Sequence, residues 1–317
     1  MSRALCIPFH RYQPHTTDHY RIYFEYFLKS LEVWGNEFDA LYLIDSDHGF
    51  SDEDLEELDK YCKNISIIKG VGSHWDNLRK ASKEIVEDYV LFMDMDVLIW
   101  KKGVIYSWFK EAEKYDVYTA FDNSGGLVKE IHKQYPFMKE NNFSRMGTYY
   151  FIMNRKALSL MSNTRLEPVR FQEKSYIKEL WYYYAKAGDW LDSLGFFTLK
   201  LLYNNFDLGI LFDPRESIYL EDGKRLSDTP LMDAKGYYHL RNGGLITRLL
   251  ASNNDEHRND FEHFIDITPN REILRLLAWH QFMGLDEQDV ISLLAKLDVA
   301  KGEWDKYYNE FKIYHGL

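Results

Sequence analysis

Residues 89–100 have the sequence Tyr89-Val90-Leu91-Phe92-Met93-Asp94-Met95-Asp96-Val97-Leu98-Ile99-Trp100, an apolar run that only two carboxylates interrupt. The apolar residues before Asp94 include β-branched and aromatic members, which is typical of a strand covered on both faces in a parallel α/β sheet. Two aspartates at its end would be costly to bury unless positive charge met them. Where a strand gives way to a turn, side chains two residues apart can converge on one hard cation through oxygen ligands. The stretch therefore predicts a buried strand that ends in a site for a phosphate-bound divalent metal, with turn capping by the two acids as the alternative.

Strand and helix patterns alternate before this stretch. Apolar residues at helical intervals predict an amphipathic helix closed by Gly35, and Ser51 followed by Asp54 predicts a helix that begins with a capping box. The predicted strands are 3–8, 39–45 and 65–68, and the predicted helices are 20–34, 51–62 and 76–86. This alternation predicts an α/β fold.

The patterns continue beyond residue 100. They predict strands at 117–121, 147–154 and 209–212, helices at 104–114 and 155–161, and two helical stretches between 176 and 202 that break at 188–193. Further on, aromatic residues lead His239 into a glycine-rich turn at Gly243-Gly244. From residue 246 to 317 the pattern is helical, with one helix beginning at Asp286.

The order of strand, glycine loop, helix, strand and Asp-x-Asp resembles the nucleotide-binding half of glycosyltransferases with the GT-A fold. In that family a metal at the Asp-x-Asp motif carries the diphosphate of a nucleotide sugar. The resemblance implies an α/β fold of the GT-A-like, Rossmann-like kind, with a mixed sheet flanked by helices. We expect this glycosyltransferase domain to span 1–245 and a C-terminal helical appendage to span 246–317.

The resemblance also implies a metal centre. Asp94, Asp96 and His239 match the positions at which the family holds Mn²⁺ or Mg²⁺, and that metal acts as a Lewis acid on the departing diphosphate. For His239 the alternative is a histidine whose hydrogen bonds the protein itself satisfies.

Three further residues match places where the family contacts the nucleotide. Asp45 lies at the end of the second predicted strand, and Asn77 and Arg79 lie in the predicted helix 76–86, before the strand that ends at Asp94. Capping remains an alternative for Asp45, and a solvated surface charge is an alternative for Arg79. The glycines at 70 and 72 have neither dinucleotide-fingerprint nor Walker-loop spacing.

Two acids at the break near residue 190 are candidates for the catalytic base. Many inverting GT-A enzymes carry such a base at the start of a helix in this region, and Asp189 and Asp192 match that place. Asp192 also resembles an N-cap with an apolar helix behind it. The sequence leaves both interpretations open.

Composition limits the classes of partner. A chain of 317 residues, 45% hydrophobic, can bury a sizeable core, and a net charge of -11 argues against nucleic acid and against anionic membranes. With only Cys6 and Cys62, a disulfide framework is excluded and a reducing compartment is expected. No apolar run approaches the ~18 residues of a spanning helix. We therefore expect a cytoplasmic protein without a transmembrane anchor, which departs from Golgi-type glycosyltransferases.

The sequence predicts a metal-dependent glycosyltransferase that moves a sugar from a nucleotide-sugar donor, expected to be a UDP-sugar, to a glycan or other hydroxyl acceptor. Its C-terminal helices offer a surface for pairing between two copies of the chain. One rival class is a phosphatase of the haloacid dehalogenase type, whose nucleophile motif also follows an apolar strand. The position of Asp94 after three strand-helix units argues against that class. The other rival is a sugar-binding protein without turnover.

Overall fold

A computed structural model describes residues 1–9, 17–46, 50–71, 74–122, 136, 145–164, 193–210, 237–239, 270–315 and 317. The strands are β1 (Arg3–Phe9), β2 (Ala40–Asp45), β3 (Ile65–Lys69), β4 (Tyr89–Met93), β5 (Val97–Ile99), β6 (Val117–Asp122), β7 (Arg145–Asn154), β8 (Leu208–Ile210) and β9 (Tyr237–His239). The helices are α1 (Thr17–Trp34), α2 (Asp52–Asp59), α3 (His74–Glu84), α4 (Val104–Ala112), α5 (Arg155–Asn163), α6 (Ser193–Tyr203), α7 (Asn270–Met283), α8 (Glu287–Lys296) and α9 (Lys301–His315).

Seven of these strands form one sheet in the order β3-β2-β1-β4-β7-β6-β8. Strands β3, β2, β1 and β4 run parallel to one another, whereas β7 is antiparallel to both β4 and β6. Strand β8 pairs in parallel with β6 at the far end. The sheet is therefore mixed, and with its flanking helices it confirms the predicted α/β, GT-A-like class.

Residues 89–100, the apolar run with two aspartates, form two strands that belong to different sheets. Strand β4 ends at Met93, immediately before the two acids as predicted, and lies at the centre of the seven-stranded sheet. Residues Val97–Ile99 form β5, which pairs antiparallel with β9 in a separate two-stranded sheet. The sequence pattern did not separate the two strands, because both are apolar and the break between them is only three residues long.

The central strand β4 is buried on both faces, as its sequence predicts. Val90 and Phe92 point into one hydrophobic cluster, while Leu91 and Met93 point into the cluster on the other side of the sheet. The ring of Phe92 stacks on that of Phe151 in β7 at a centroid distance of 5.0 Å. Each fully buried side chain of this size stabilises the fold by roughly 1.5–3 kcal/mol, so β4 anchors both layers.

A third hydrophobic cluster joins the C-terminal helices to the rest of the molecule. Trp279 of α7 packs against Trp100, which follows β5, at a centroid distance of 4.8 Å. The hydroxyl of Tyr23 in α1 hydrogen-bonds the Nε2 atom of the buried His280 at 2.8 Å. Leu98 of β5 is buried in the same cluster. Helix α7 therefore packs directly on α1 and on the strand that follows the acids.

Side chains cap several helices at their N-termini. Ser51 and Asp54 form the predicted capping box of α2, and Asp286 caps α8 as predicted. Helix α4 is capped by Glu37, a residue remote in sequence, whose carboxylate accepts hydrogen bonds from the N–H groups of Gly103 at 2.5 Å and Tyr106 at 2.9 Å. The local caps at Ser51 and Asp286 lie next to the helices that they cap and were visible in the sequence, whereas the cap by Glu37 was not.

In the described part of the chain, no helix combines the length and apolarity needed to cross a bilayer.

Candidate functional site

The acids follow β4 at the edge of the sheet where four parallel strands end. Phe9 pairs with Asp45, and Asp45 pairs with Lys69, so the carboxyl ends of β1, β2 and β3 lie side by side. Strand β4 ends next to β1 at Met93. In open α/β sheets, ligands bind outside the carboxyl ends of the strands, at the point where the connections change direction. This edge, beside the boundary between parallel and antiparallel strands, is the candidate site.

The segment Asp94-Met95-Asp96, here called the acid turn, carries the chain from one sheet to the other. The Val97 N–H donates a hydrogen bond of 3.1 Å to the Asp94 carbonyl, which closes the turn. Met95 is partly buried and packs against both the second and the third hydrophobic clusters. Because its central residue is anchored in two clusters, the turn holds the backbone of both acids in a fixed position.

The electrostatics of the acid turn favour a bound cation. Loss of hydration on burial raises the pKa of the Asp94 carboxyl well above its usual range, and the neighbouring Asp96 carboxylate raises it further. Among the residues that the structure describes, no ion pair involves Asp94. A divalent cation between the two carboxylates would remove both causes at once, because it replaces water as a ligand and offsets the repulsion.

The strand β9 brings the backbone of His239 next to the acid turn. In the antiparallel pairing of β5 with β9, the Cα of His239 lies opposite that of Val97, the residue after Asp96. Opposed Cα atoms in such a pair are about 4.5–5.5 Å apart. Residues more than a hundred positions apart in the sequence are therefore neighbours here, as the predicted ligand set requires.

The side chain of His239 lies outside the described atoms, so its orientation stays a prediction. Within the part of the chain that the structure describes, no group of three His, Cys, Asp or Glu side chains is arranged to hold a metal. The two carboxylates of the acid turn are the described members of the predicted set. The prediction of His239 as the third ligand depends on the position of its backbone alone.

Asn77 is completely buried at the carboxyl edge, where the sequence placed it as a nucleotide contact. Its Oδ1 accepts a hydrogen bond from the Val71 N–H at 2.8 Å, and its Nδ2 donates to Ser46 Oγ at 3.2 Å. The side chain therefore links the segment after β3 to the segment after β2. The sequence pattern gave no sign of this link, because it depends on where α3 sits against two strands.

Arg79, in the middle of α3, and Asp45, at the end of β2, are both more exposed than Asn77. The guanidinium of Arg79 forms an ion pair with Asp76, one helical turn earlier, at 3.3 Å, and 31% of its side chain is exposed. Exposed pairs of this kind contribute little to stability. Asp45 ends β2, is partly exposed, and its carbonyl accepts a hydrogen bond from the Gly70 N–H at 2.6 Å.

Asp189 and Asp192, the predicted catalytic bases, lie outside the described residues. The helix predicted behind them is present as α6, and Leu194, Phe197 and Leu201 of this helix are buried in the first hydrophobic cluster. The hydroxyl of Thr198 accepts a hydrogen bond from the Met146 N–H in β7 at 3.0 Å. The helix that follows Asp192 is thus tied to the central sheet.

Comparison with known proteins adds distant likenesses only. No protein-family model matches the chain, and no curated protein matches it. Among solved structures, a proposed nucleotide-diphospho-sugar transferase from Desulfovibrio desulfuricans G20 is 11% identical with a TM-score of 0.41, over 67% of this chain and 80% of that one. A 4-diphosphocytidyl-2C-methyl-D-erythritol synthase from Anaerococcus prevotii is 10% identical with a TM-score of 0.40, over 71% and 92%.

A third similar structure is glucosyl-3-phosphoglycerate synthase from Mycobacterium tuberculosis, solved with Mn²⁺, uridine diphosphate and glucosyl-3-phosphoglycerate. It is 14% identical with a TM-score of 0.33, and the match spans 49% of this chain and 57% of that one. At such low similarity, the fold class of the present chain rests on its own strand order and pairing.

Proposed function

We propose that the chain is a glycosyltransferase that moves a sugar from a nucleoside diphosphate sugar to a hydroxyl acceptor with the help of Mn²⁺ or Mg²⁺. The observation that supports this most is the acid turn. Two carboxylates share a fixed turn at the carboxyl edge of the sheet, and their mutual repulsion contributes to the raised pKa of Asp94. Perturbed acids in such a position are typical of functional sites.

The donor atoms present fit the proposed metal. Carboxylate oxygens and an imidazole nitrogen suit Mn²⁺, and carboxylates alone suit Mg²⁺. Asp94 and Asp96 would hold the ion, with His239 as the proposed third ligand. When bound, the ion would neutralise the charge of the departing diphosphate.

The transfer step needs a base if the reaction inverts the anomeric carbon. The acceptor oxygen would attack that carbon, the bond from the carbon to the diphosphate oxygen would break, and the hydroxyl proton would pass to a carboxylate. We propose Asp192 as this base and Asp189 as the alternative, because the buried helix α6 begins immediately after Asp192. A general base contributes roughly 10²–10⁴-fold in rate.

The first experiment is a binding test on the full chain. Uridine diphosphate, with and without Mn²⁺, is titrated into the protein, and the melting temperature is recorded. A ligand that binds only the folded state raises its stability by mass action. We expect no rise with uridine diphosphate alone, a small rise with Mn²⁺ alone and the largest rise with both. The exposed-acid variant Asp52→Asn should behave as wild type.

Turnover then separates the proposal from its rivals. We expect release of uridine diphosphate from a UDP-sugar in the presence of an acceptor. Hydrolysis of a phosphate ester without nucleotide binding would instead indicate the phosphatase class. Binding of the UDP-sugar with neither hydrolysis nor transfer across a panel of donors and acceptors would indicate a sugar-binding protein.

The two candidate bases are compared by single substitutions. Asp192→Asn keeps the shape of the side chain and most of its capping ability, so a loss of rate in this variant assigns the proton transfer to Asp192. Normal transfer by Asp192→Asn would move the assignment to Asp189, and normal transfer by both single variants would exclude an inverting mechanism with a base at this position.

A further inference from the structure

The Asn77 side chain joins two loops at the carboxyl edge. It has no exposed surface, and both ends of its carboxamide bond to other segments of the chain. The Oδ1 atom holds the Val71 N–H, which follows β3, and the Nδ2 atom holds the Ser46 hydroxyl, which follows β2. A buried amide that hydrogen-bonds two neighbouring loops fixes the separation between them.

Gly70 brings the same two loops into direct backbone contact. Its N–H donates to the Asp45 carbonyl at 2.6 Å. A Cβ atom at this position would lie 2.6 Å from the Asp45 carbonyl oxygen and 2.6 Å from the Ser46 Cα. Because both of these are backbone atoms, the loops would have to separate to admit even a methyl group. We call the group of Ser46, Gly70, Val71 and Asn77 the Asn77 clamp.

The clamp lies at a useful distance from the acid turn. In the sheet, β1 separates β2 from β4, and β3 lies one strand further out. At about 4.7–4.9 Å per strand, the end of β2 is roughly 10 Å from the end of β4, and the end of β3 is roughly 15 Å away. A nucleoside diphosphate whose phosphates lie at the acid turn would reach the clamp with its ribose and base.

We propose that Asn77 is a positioning residue for the nucleoside of the donor. It holds the Ser46 hydroxyl and the Val71 backbone N–H at the separation that receives the nucleoside. It does so without touching the ligand, since its side chain is wholly enclosed by protein. This inference rests on the proposed function and changes the role expected for Asn77 from direct contact to support. It also assigns a role to Gly70, which would maintain the same separation through its missing side chain.

Two probes separate nucleoside recognition from phosphate binding. Uridine diphosphate with Mn²⁺ reports on both parts of the site, whereas inorganic pyrophosphate with Mn²⁺ reports only on the acid turn. Both are titrated calorimetrically into wild type and into Asn77→Ala, well below the melting temperature of each protein. We expect Asn77→Ala to weaken binding of uridine diphosphate by about tenfold, because the nucleoside would then have to order the two loops as it binds. Pyrophosphate binding should stay within about twofold of wild type.

Two further variants keep the test decisive if Asn77→Ala folds poorly. Ser46→Ala removes one bond of the clamp and should weaken uridine diphosphate by a smaller factor. Gly70→Ala forces the loops apart from the opposite side and should reproduce the Asn77→Ala pattern. The matched control is Ser82→Ala, which removes a buried hydroxyl from the same helix. Among the described residues, that hydroxyl bonds the Leu78 carbonyl at 2.8 Å. This control should bind both probes as wild type does.

The outcomes distinguish failure of this inference from failure of the proposed function. If wild type binds neither probe, the proposed function is wrong. If wild type binds both and the clamp variants bind uridine diphosphate normally, Asn77 does not position the nucleoside. Equal losses for both probes in the clamp variants would also overturn the inference, because they would show a general structural role.

Discussion

A partly buried aspartate lies at each end of the parallel strands of the seven-stranded sheet, and the two have opposite surroundings. At the amino edge, the residue before β6 is Asp116, which accepts hydrogen bonds from Lys156 Nζ at 2.7 Å, Asn154 Nδ2 at 2.8 Å and the Asp207 N–H at 3.0 Å. Burial alone would raise the pKa of Asp116, but these donors together outweigh it and hold the pKa below its usual range. At the carboxyl edge, burial and a second carboxylate raise the pKa of Asp94.

The contrast separates an aspartate with several donors inside the fold from one proposed to bind a metal. Asp116 joins the ends of β6, β7 and β8 through its hydrogen bonds, so its charge stabilises the fold. The acid turn places like charges together, which costs stability in the absence of a ligand. A divalent cation bound by the two carboxylates would offset the burial and the repulsion at Asp94, and this is the physical basis for proposing a metal at the carboxyl edge.

The largest effect should come from removing one acid of the turn. We expect Asp96→Ala to weaken Mn²⁺-dependent binding of uridine diphosphate by a factor of about 100 or more, because the ion loses a charged ligand. The melting temperature without metal should not fall, since the substitution relieves repulsion at Asp94. Titration calorimetry and thermal unfolding measure the two quantities. Donor affinity equal to wild type would remove Asp96 from the site.

The amino edge should respond in the reverse manner. We expect Asp116→Asn to lower the free energy of unfolding by about 2 kcal/mol, because an amide nitrogen would replace one acceptor oxygen and the charge that Lys156 and the Asp207 N–H meet would be lost. Binding of Mn²⁺ and uridine diphosphate to the folded protein should be unchanged. Urea unfolding and calorimetry test this, and a loss of nucleotide affinity would break the division between the two edges.

A pH series should sharpen the same contrast at Asp116. Since the pKa of this group is lower in the folded state than in the unfolded one, its contribution to stability is complete above the unfolded value of about 3.9 and disappears as pH falls through the folded value. We expect the difference in unfolding free energy between wild type and Asp116→Asn to be constant from pH 7 to 5 and to shrink below pH 4. A difference that grew on acidification would contradict the assignment.

A smaller effect on the metal is expected at His239. A neutral imidazole contributes a bond but no countercharge, so His239→Ala should weaken Mn²⁺ binding by about tenfold, less than Asp96→Ala does. The backbone pairing of β5 with β9 should survive, because it uses main-chain groups. A manganese titration of the folded variant measures the effect, and a wild-type curve would exclude His239 as a ligand.

The smallest effect should come from Arg79. Its partly exposed pair with Asp76 predicts that Arg79→Gln changes the free energy of unfolding by less than about 1 kcal/mol. If the residue is a solvated surface charge, uridine diphosphate should bind within about threefold of wild type. A tenfold loss in Arg79→Gln, with normal binding by the partner variant Asp76→Asn, would restore Arg79 as a nucleotide contact.

Local patterns were enough to predict much of the scaffold. The end of β4 before Asp94, the capping box at Ser51 and the helix that begins at Asp286 were all visible, because each depends on residues within a few positions. Features that depend on contacts between distant segments were not visible in the sequence. The pairing of β5 with β9, the capping of α4 by Glu37 and the links made by Asn77 depend on contacts between distant segments, which a periodicity does not encode.

The candidate site divides along the same line. The sequence identified Asp94 and Asp96 because two acids in an apolar strand contradict the hydrophobic pattern around them. Asn77 was selected for its place in the chain order, but its burial between two loops became visible only in the folded structure. The roles of all the predicted site residues stay predictions, including those of Asp94, Asp96 and His239 at the metal, Asp45 and Arg79 at the nucleotide, and Asp189 and Asp192 as base. The boundary at residue 245 and pairing through the C-terminal helices also stay predictions.

The pairing of β5 with β9 also sets the stage of folding at which the proposed metal centre could assemble. Contacts between segments far apart in the chain form late and slow folding, and His239 lies more than a hundred residues after the strand with which it pairs. Helix α7, which packs on Trp100, follows later still. During synthesis, the acid turn would therefore form before His239, its proposed third ligand, and before helix α7. Binding of the proposed metal would then stabilise chains that have completed this last step of folding.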